Sequence, residues 1–246
     1  MRLLANGWFW LLDYLYVAVK QVQAFVVRVD PATYRSPAAL GRPVLLIPGI
    51  YETWQFMRPV AELLRDRGHP IHVVTGLGWN TSTIRDSADL VAAYLEEADL
   101  RGVTLVAHSK GGLIGKYTML RRDPEGRIDR MVAIATPFSG SIYARYALTR
   151  SIRDFSPADT TLRMLGEHLD VNRRITSIEP SFDPHIPGGS RLDGAVNVRL
   201  RAAGHFRIFG TAELLREVER AVDGTPEHAL DGVPEPRVER APGAQE

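Results

Sequence analysis

The sequence predicts an α/β protein in which helices cover both faces of a mostly parallel sheet. Short runs rich in Val, Ile and Leu recur along the chain, and such runs are typical of strands buried on both faces. Segments with apolar residues at helical spacing lie between these runs. Because strand and helix alternate, the pattern favours an open parallel sheet over a sandwich or a helical bundle.

Length and composition indicate one globular domain. The chain has 246 residues, of which 45% are apolar and 24% charged, so it can bury a substantial core. The net charge of +1 argues against a nucleic-acid-binding protein held by a broad basic field. The chain has no cysteine, which excludes disulfides and thiolate metal sites and leaves both reducing and oxidising compartments open.

Residues 1–30 form an apolar and aromatic segment that we expect to be helical. Asn6, Asp13 and Lys20 interrupt it at seven-residue spacing, which places them in one narrow polar stripe. Asp13 would cost a membrane-spanning helix about 2.5–3.5 kcal/mol, and no small-x-small site indicates a cleaved secretory signal. Two interpretations remain: a helix lying in a membrane interface, or a helix packed on the domain or on another subunit.

Residues 31–222 hold the predicted domain. We expect strands at residues 43–47, 71–74, 103–107, 131–135, 175–178 and 195–200. We expect helices at residues 54–67 and 83–98, directly after residue 109, and at residues 211–222. Residues 139–172 are helical in patches and could form a small lid or a merely structural connection. Residues 223–246, rich in Gly, Pro, Glu and Arg, predict a disordered tail.

The stretch Val103–Gly112 places a serine at a sharp turn between a strand and a helix. Small residues flank Ser109 at two positions before it, Ala107, and two after it, Gly111. This pattern fits the nucleophile elbow Gly-x-Ser-x-Gly, with Ala107 in place of the first glycine. The alternative is an ordinary strand-to-helix turn in which the serine caps the helix.

With its Ala-His-Ser-x-Gly-Gly turn, the chain resembles the α/β-hydrolase family, and within it the bacterial lipases and esterases. In these lipases a His-Gly or Pro-Gly loop after the first strand brings a backbone N–H group into the oxyanion hole. Carried over to Pro48-Gly49, the resemblance implies Ile50 as one donor and Lys110, directly after the nucleophile, as the other. One segment departs from the family: Phe138 stands where the lipases have histidine in Thr-Pro-His-x-Gly-Ser.

The resemblance also implies an acid and a base. Asp183, in the form Asp-x-x-Ile-Pro, follows the predicted strand at residues 175–178, and His205 follows the last strand. The chain order Ser109, Asp183, His205 is the one that α/β-hydrolases use. In chemical terms, Ser109 needs His205 to remove its proton during attack, and Asp183 would hold the imidazole in the working tautomer.

Asp193 remains an alternative to Asp183 as the acid. His108 lies inside the turn and is expected to orient it, whereas His185 lies on the acid loop, where the base is not expected. We interpret the other histidines as surface or packing residues: His69, His72, His168 and His228. No His/Asp/Glu cluster has metal-ligand spacing, so we predict neither a metal nor a cofactor.

The residues themselves support acyl transfer, and the resemblance implies hydrolysis of carboxylic esters. The apolar N-terminus and the apolar helices after Phe138 favour a lipophilic acyl group, from a small-molecule or lipid ester. Two alternatives stay open: an acyltransferase or thioesterase with the same triad, and a non-catalytic membrane-associated scaffold. A cytoplasmic or membrane-associated location is expected, and secretion is not excluded.

Overall fold

The computed structural model of the protein describes residues 2–27, 29–35, 40–141, 144 and 150–224, and it contains a six-stranded sheet. The strands are β1 (Val44–Ile47), β2 (Ile71–Val73), β3 (Val103–His108), β4 (Ile128–Ile134), β5 (Ile175–Glu179) and β6 (Val196–Arg199). Their order across the sheet is β2-β1-β3-β4-β5-β6, and every neighbouring pair is parallel. All six predicted strands are present, and the prediction of a mostly parallel sheet is confirmed.

Helices cover both faces of this sheet. They are α1 (Arg2–Val26), α2 (Arg58–Asp66), α3 (Ile84–Glu97), α4 (Lys110–Arg121), α5 (Arg150–Arg153), α6 (Thr160–Glu167) and α7 (Ala212–Asp223). Along β1, Leu45 and Ile47 point into the core beneath α3 and α4, whereas Val44 and Leu46 point into the core beneath α2 and α7. Both faces are therefore buried, which explains why the strands are continuous apolar runs.

Two boundaries differ from the predictions for physical reasons. The predicted helix at residues 54–67 is a 3₁₀ turn, Trp54–Met57, followed by α2, because Pro59 has no N–H to continue an α-helix through this point. Strand β4 begins at Ile128, three residues before the predicted start. The half-buried side chains of Asp129 and Arg130 lie at this end of the sheet, so charge does not prevent pairing there.

Helix α1 packs on the domain through the face that carries Asp13. That carboxylate is fully buried, whereas Leu11, Leu15 and Val22 are more than half exposed. Asp13, one of the three residues that interrupt the apolar segment, thus faces the protein, and apolar side chains face outward. No helix in the part of the chain that the structure describes is long and apolar enough to cross a bilayer.

Two predicted segments fall partly outside the described residues. The lid-like segment 139–172 includes α5, α6 and a 3₁₀ turn at Asp170–Arg174, and its residues 142–143 and 145–149 are outside the description. Of the predicted tail, residues 225–246 are also outside it.

Candidate active site

Ser109 lies at the turn between β3 and α4 in a strained backbone conformation. Its φ of 50° and ψ of −117° are rare for a residue with a side chain, and such a conformation costs on the order of 1–3 kcal/mol. The Ser109 amide donates to the carbonyl of Ile134 at the end of β4 (2.8 Å), which helps to hold the turn. Strain of this kind clusters at functional sites, because the surrounding fold must maintain it.

The two glycines after Ser109 are required by neighbouring strands. A Cβ on Gly111 would lie 2.2 Å from the carbonyl oxygen of Ile47, and one on Gly112 would lie 2.0 Å from Thr136 Oγ1. Both distances are too short for any side chain. The small residues predicted at this turn therefore allow α4 to start close to the carboxyl ends of β1 and β4.

His205 and Asp183 form a buried hydrogen-bonded pair. Asp183 Oδ2 lies 2.7 Å from His205 Nδ1, and Asp183 Oδ1 accepts from the amides of His185 (2.8 Å) and Ile186 (3.0 Å). Burial alone would raise the pKa of Asp183, but His205 and these two amides hold it below its usual value. The carboxylate therefore stays ionised beside the imidazole.

The pKa of His205 is shifted in the opposite direction. Burial disfavours the protonated ring, but Asp183 outweighs burial and raises the pKa of His205 above its ordinary value. Glu52 and Asp13 add to this rise. The neighbouring carboxylates therefore favour the protonated form of the His205 ring.

Ser109 and His205 line the same cavity, of about 470 Å³. No hydrogen bond joins the Ser109 hydroxyl to the imidazole among the described residues. Such bonds are often loose until substrate is bound. Most of the cavity wall is apolar or aromatic, and its members include Trp10, Tyr14, Val17, Ile50, Pro137, Ala144, Ile152, Phe155, Ile186 and Phe206.

Ile50 and Lys110 are the predicted oxyanion donors. Ile50 lines the cavity, and Lys110 is the first residue of α4. Among the described residues, neither amide donates to a backbone acceptor in a turn or loop. The Lys110 ammonium is directed elsewhere: it donates to the carbonyls of Asn80 (3.0 Å) and Ser82. Burial lowers its pKa to about 8.

A buried pair that the sequence analysis missed connects this loop to the turn. Glu52 Oε2 accepts from the amide of Gly49 (2.9 Å) and lies 2.9 Å from His108 Nδ1. The other nitrogen of His108 lies 3.2 Å from the carbonyl oxygen of His205. The expectation that His108 orients the turn stays a prediction; its ring joins the loop after β1 to the loop that carries His205.

His185 and Asp13 are also closer to His205 than the sequence indicated. The His185 ring centroid lies 5.1 Å from that of His205 and 5.1 Å from that of Trp10. Burial, with help from the neighbouring His205, lowers the pKa of His185 to about 4, so this ring is neutral at pH 7. Asp13 accepts hydrogen bonds from the backbone of the His205 loop. The available sequence signal for Asp13 was an isolated acid in an apolar helix.

The alternative residues lie away from this arrangement. The Asp193 side chain is 87% exposed and lies 3.9 Å from Arg191. His69, His72 and His168 hydrogen-bond to groups outside the cavity, and His228 is outside the described residues. No group of His, Cys, Asp and Glu among the described residues could hold a metal ion.

Comparisons with known proteins agree with the observed fold. The family model for lecithin:cholesterol acyltransferase matches residues 89–153, and no curated protein sequence matches the chain. The lipase BlEst2 of Bacillus licheniformis, in its mature form, superimposes with a TM-score of 0.59 at 15% identity, over 76% of this chain and 94% of that one. The chain has the α/β-hydrolase fold.

Two further α/β-hydrolase structures show the same likeness. The thioesterase RedJ of the prodiginine pathway in Streptomyces coelicolor gives a TM-score of 0.50 at 20% identity, over 80% of this chain and 89% of that one. A hydrolase from Oleispira antarctica superimposes with a TM-score of 0.54 at 15% identity, over 74% of this chain and 91% of that one.

The fold places the three predicted triad residues at one edge of the sheet. Ser109 follows β3, Asp183 follows β5 and His205 follows β6, so all three lie at the carboxyl ends of parallel strands.

Proposed function

We propose that the protein is a serine hydrolase that cleaves carboxylic esters through an acyl-enzyme. One observation carries the proposal: a serine in a strained turn lines one largely apolar cavity together with His205, the histidine of a buried aspartate–histidine pair. A buried carboxylate beside an imidazole would contribute little to stability alone, because its desolvation opposes the attraction. The same pair is what an activated serine needs.

In this proposal Ser109 Oγ attacks the ester carbonyl while His205 Nε2 takes its proton. Asp183 holds Nδ1 and stabilises the imidazolium that forms. The amides of Ile50 and Lys110 would face the oxyanion, and one such donor is typically worth about 2.7–4 kcal/mol of transition-state stabilisation. His205 then protonates the departing alcohol, and water activated by the same ring releases the acid.

The cavity supports a lipophilic acyl group. Its volume of about 470 Å³ lies within the usual range of small-ligand pockets, roughly 300–1,000 Å³. Its polar lining residues include Ser109 and His205, which the proposal assigns to the chemistry, together with Gln21, Glu52, Ser141 and His185. An apolar acyl chain would bury against the apolar part of the wall, which includes Val17 and Phe155.

The direct test is hydrolysis of p-nitrophenyl esters from C2 to C16 by the wild type and by Ser109→Ala. We expect turnover that peaks at an intermediate or long chain and falls by on the order of 10⁶ in the variant. Asp193→Asn, at an exposed position, is the matched control and should leave turnover unchanged. A wild type inactive on every ester, with detergent present, would contradict the proposal and favour a non-catalytic scaffold.

An acyltransferase is the second candidate, and the match of residues 89–153 to the lecithin:cholesterol acyltransferase model favours it. The same acyl-enzyme would then pass its acyl group to an alcohol instead of water. Reactions in water–alcohol mixtures, with both products quantified, distinguish the two. Ester product in excess of the alcohol's share of the solvent would indicate a transferase, and acid alone would indicate a hydrolase.

We also propose that α1 lies on a lipid surface. Its outward apolar residues follow helical spacing and adjoin Tyr14, which lines the cavity: Leu11, Leu15, Val19, Val22 and Val26. Flotation with phosphatidylcholine vesicles tests this. The wild type should float with the vesicles, and the triple variant Leu11→Ser, Leu15→Ser, Val22→Ser should not; equal recovery of both proteins would contradict it.

A further inference from the structure

Asp13 on α1 holds the loop that carries His205 by its backbone. Asp13 Oδ2 accepts from the amide of His205 (3.0 Å), and Asp13 Oδ1 accepts from the amides of Phe206 and Arg207 (2.9 Å each). These bonds join residues more than 190 positions apart in the chain. One carboxylate thus satisfies three consecutive N–H groups at the start of a 3₁₀ turn, Arg207–Gly210.

The loop is shaped for this contact. Gly204, directly before His205, has a φ of +111°, and a Cβ at this position would lie 2.6 Å from Asp13 Oδ1. A side chain there would force the carboxylate away from the amides. Gly204 therefore leaves room for α1 to approach the loop.

Packing alone does not account for an aspartate at this position. Asp13 is fully buried, and a buried charge carries a large desolvation cost that only well-placed donors offset. An apolar side chain would avoid this desolvation cost, but it would remove the acceptor of three loop amides. What the carboxylate adds is directionality, since charge-assisted bonds to three amides restrict where the loop can lie.

His205 is consequently held at three points by three elements. Its amide donates to Asp13 of α1, its carbonyl oxygen lies 3.2 Å from His108 Nε2, and its Nδ1 lies 2.7 Å from Asp183. Only Nε2 remains for the cavity. The backbone of the base is therefore fixed independently of its ring.

We infer that Asp13 is a positioning residue for His205, so that α1 completes the active site. This inference rests on the proposed function, because it assigns Asp13 a role in the same reaction. Asp13 does not touch the reacting atoms in this account. It sets the height and angle of the loop from which the imidazole reaches Ser109, and small displacements of this kind can cost about 10²-fold in rate.

The charge of Asp13 gives the role a signature that a structural contact would not have. The ionisable groups that face His205 are Asp183, Glu52, Asp13, His108 and His185. Asp13 contributes to the raised pKa of His205. Removing its charge should therefore shift the acid limb of kcat/KM to lower pH, because the base stays unprotonated further into the acid range.

The experiment compares wild type, Asp13→Asn and Asp13→Ala in the full chain, with Asp193→Asn as the control. Each is measured for kcat, KM and the pH profile of kcat/KM with one p-nitrophenyl ester, and for its thermal unfolding midpoint. We expect kcat of Asp13→Asn to fall about 10- to 100-fold, with KM nearly unchanged and the acid limb displaced downward. Asp13→Asn keeps the size of the side chain, so it remains informative if Asp13→Ala does not fold.

The outcomes separate the inference from the proposed function. A folded Asp13→Asn variant with wild-type kcat and an unmoved acid limb, and only a lower unfolding midpoint, would overturn the inference and leave the hydrolase in place. A wild type that is itself inactive would contradict the proposed function, and the inference would fail with it. A reduced kcat with an unmoved acid limb would also overturn the inference, because the lower kcat would then reflect a general loosening of the structure around the site.

Discussion

Two buried aspartates hold the same histidine from opposite ends, and they differ in what the sequence reveals of them. Asp183 contacts the imidazole and lies 22 residues from His205, on the loop after the neighbouring strand. Asp13 contacts the backbone and lies 192 residues away, on a helix outside the sheet. In the proposed mechanism the first sets the tautomer and charge of the ring, whereas the second sets where the loop lies. The proposed base would therefore depend on position as well as on chemistry.

Replacement of the ring partner should have the largest effect. Asp183→Asn removes the acceptor that fixes the tautomer, and we expect kcat to fall by about 10⁴-fold, as loss of the triad acid does in serine proteases. Asp193→Asn, the alternative acid, should leave kcat unchanged. If the two variants exchanged these results, the assignment of the acid to the loop after β5 would be wrong.

Combination of the two aspartate variants sharpens the comparison. In Asp183→Asn the histidine no longer works in the correct tautomer, so its loop position matters less. We expect Asp13→Asn to cost 10- to 100-fold alone but less than about 5-fold in the Asp183→Asn background, since residues acting as a unit are not additive. Fully multiplicative losses would show that the two aspartates act on separate steps.

The pH dependence distinguishes the same two contacts. Because Asp183 and its neighbours raise the pKa of His205, activity should fall as pH decreases through a value above 6.5, the ordinary pKa of histidine. Asp183→Asn should move this limb down by more than Asp13→Asn, since Asp183 makes the larger contribution. Profiles of kcat/KM between pH 5 and 9 measure both shifts. Equal shifts of the acid limb in the two variants would contradict the larger contribution of Asp183 to the pKa of His205.

The smallest effect is expected for the Glu52–His108 pair, which connects the loop after β1 to the turn at Ser109. Glu52→Gln keeps an acceptor near Gly49 but weakens the link to His108, so we expect kcat to fall by about 10-fold, less than loss of a whole oxyanion donor. Glu217→Gln, which breaks a half-exposed pair with Arg220 on α7, is the control. Similar rates for both would show that the Glu52 contact is structural only.

The sequence predicted the sheet and helices well, because each strand is a local apolar run and each crossover has helical spacing. The order of Ser109, Asp183 and His205 was readable for the same reason: each follows a strand at the same edge of the sheet. The contacts of Asp13 and Glu52 could not be predicted, because the sequence does not show which distant segments meet. The sequence showed that Asp13 argues against a membrane-spanning helix. Only the fold shows that its carboxylate points inward and accepts hydrogen bonds from three amides.

Covalent labelling tests most directly whether Ser109 is a nucleophile that His205 activates. The wild type, incubated with a fluorophosphonate, should gain the mass of one adduct, and peptide mapping should place this adduct on Ser109. Ser109→Ala should gain none, and Asp13→Asn should label at the same site but more slowly. An adduct on another serine, or a folded wild type that gains no mass, would contradict the role of Ser109 as the nucleophile.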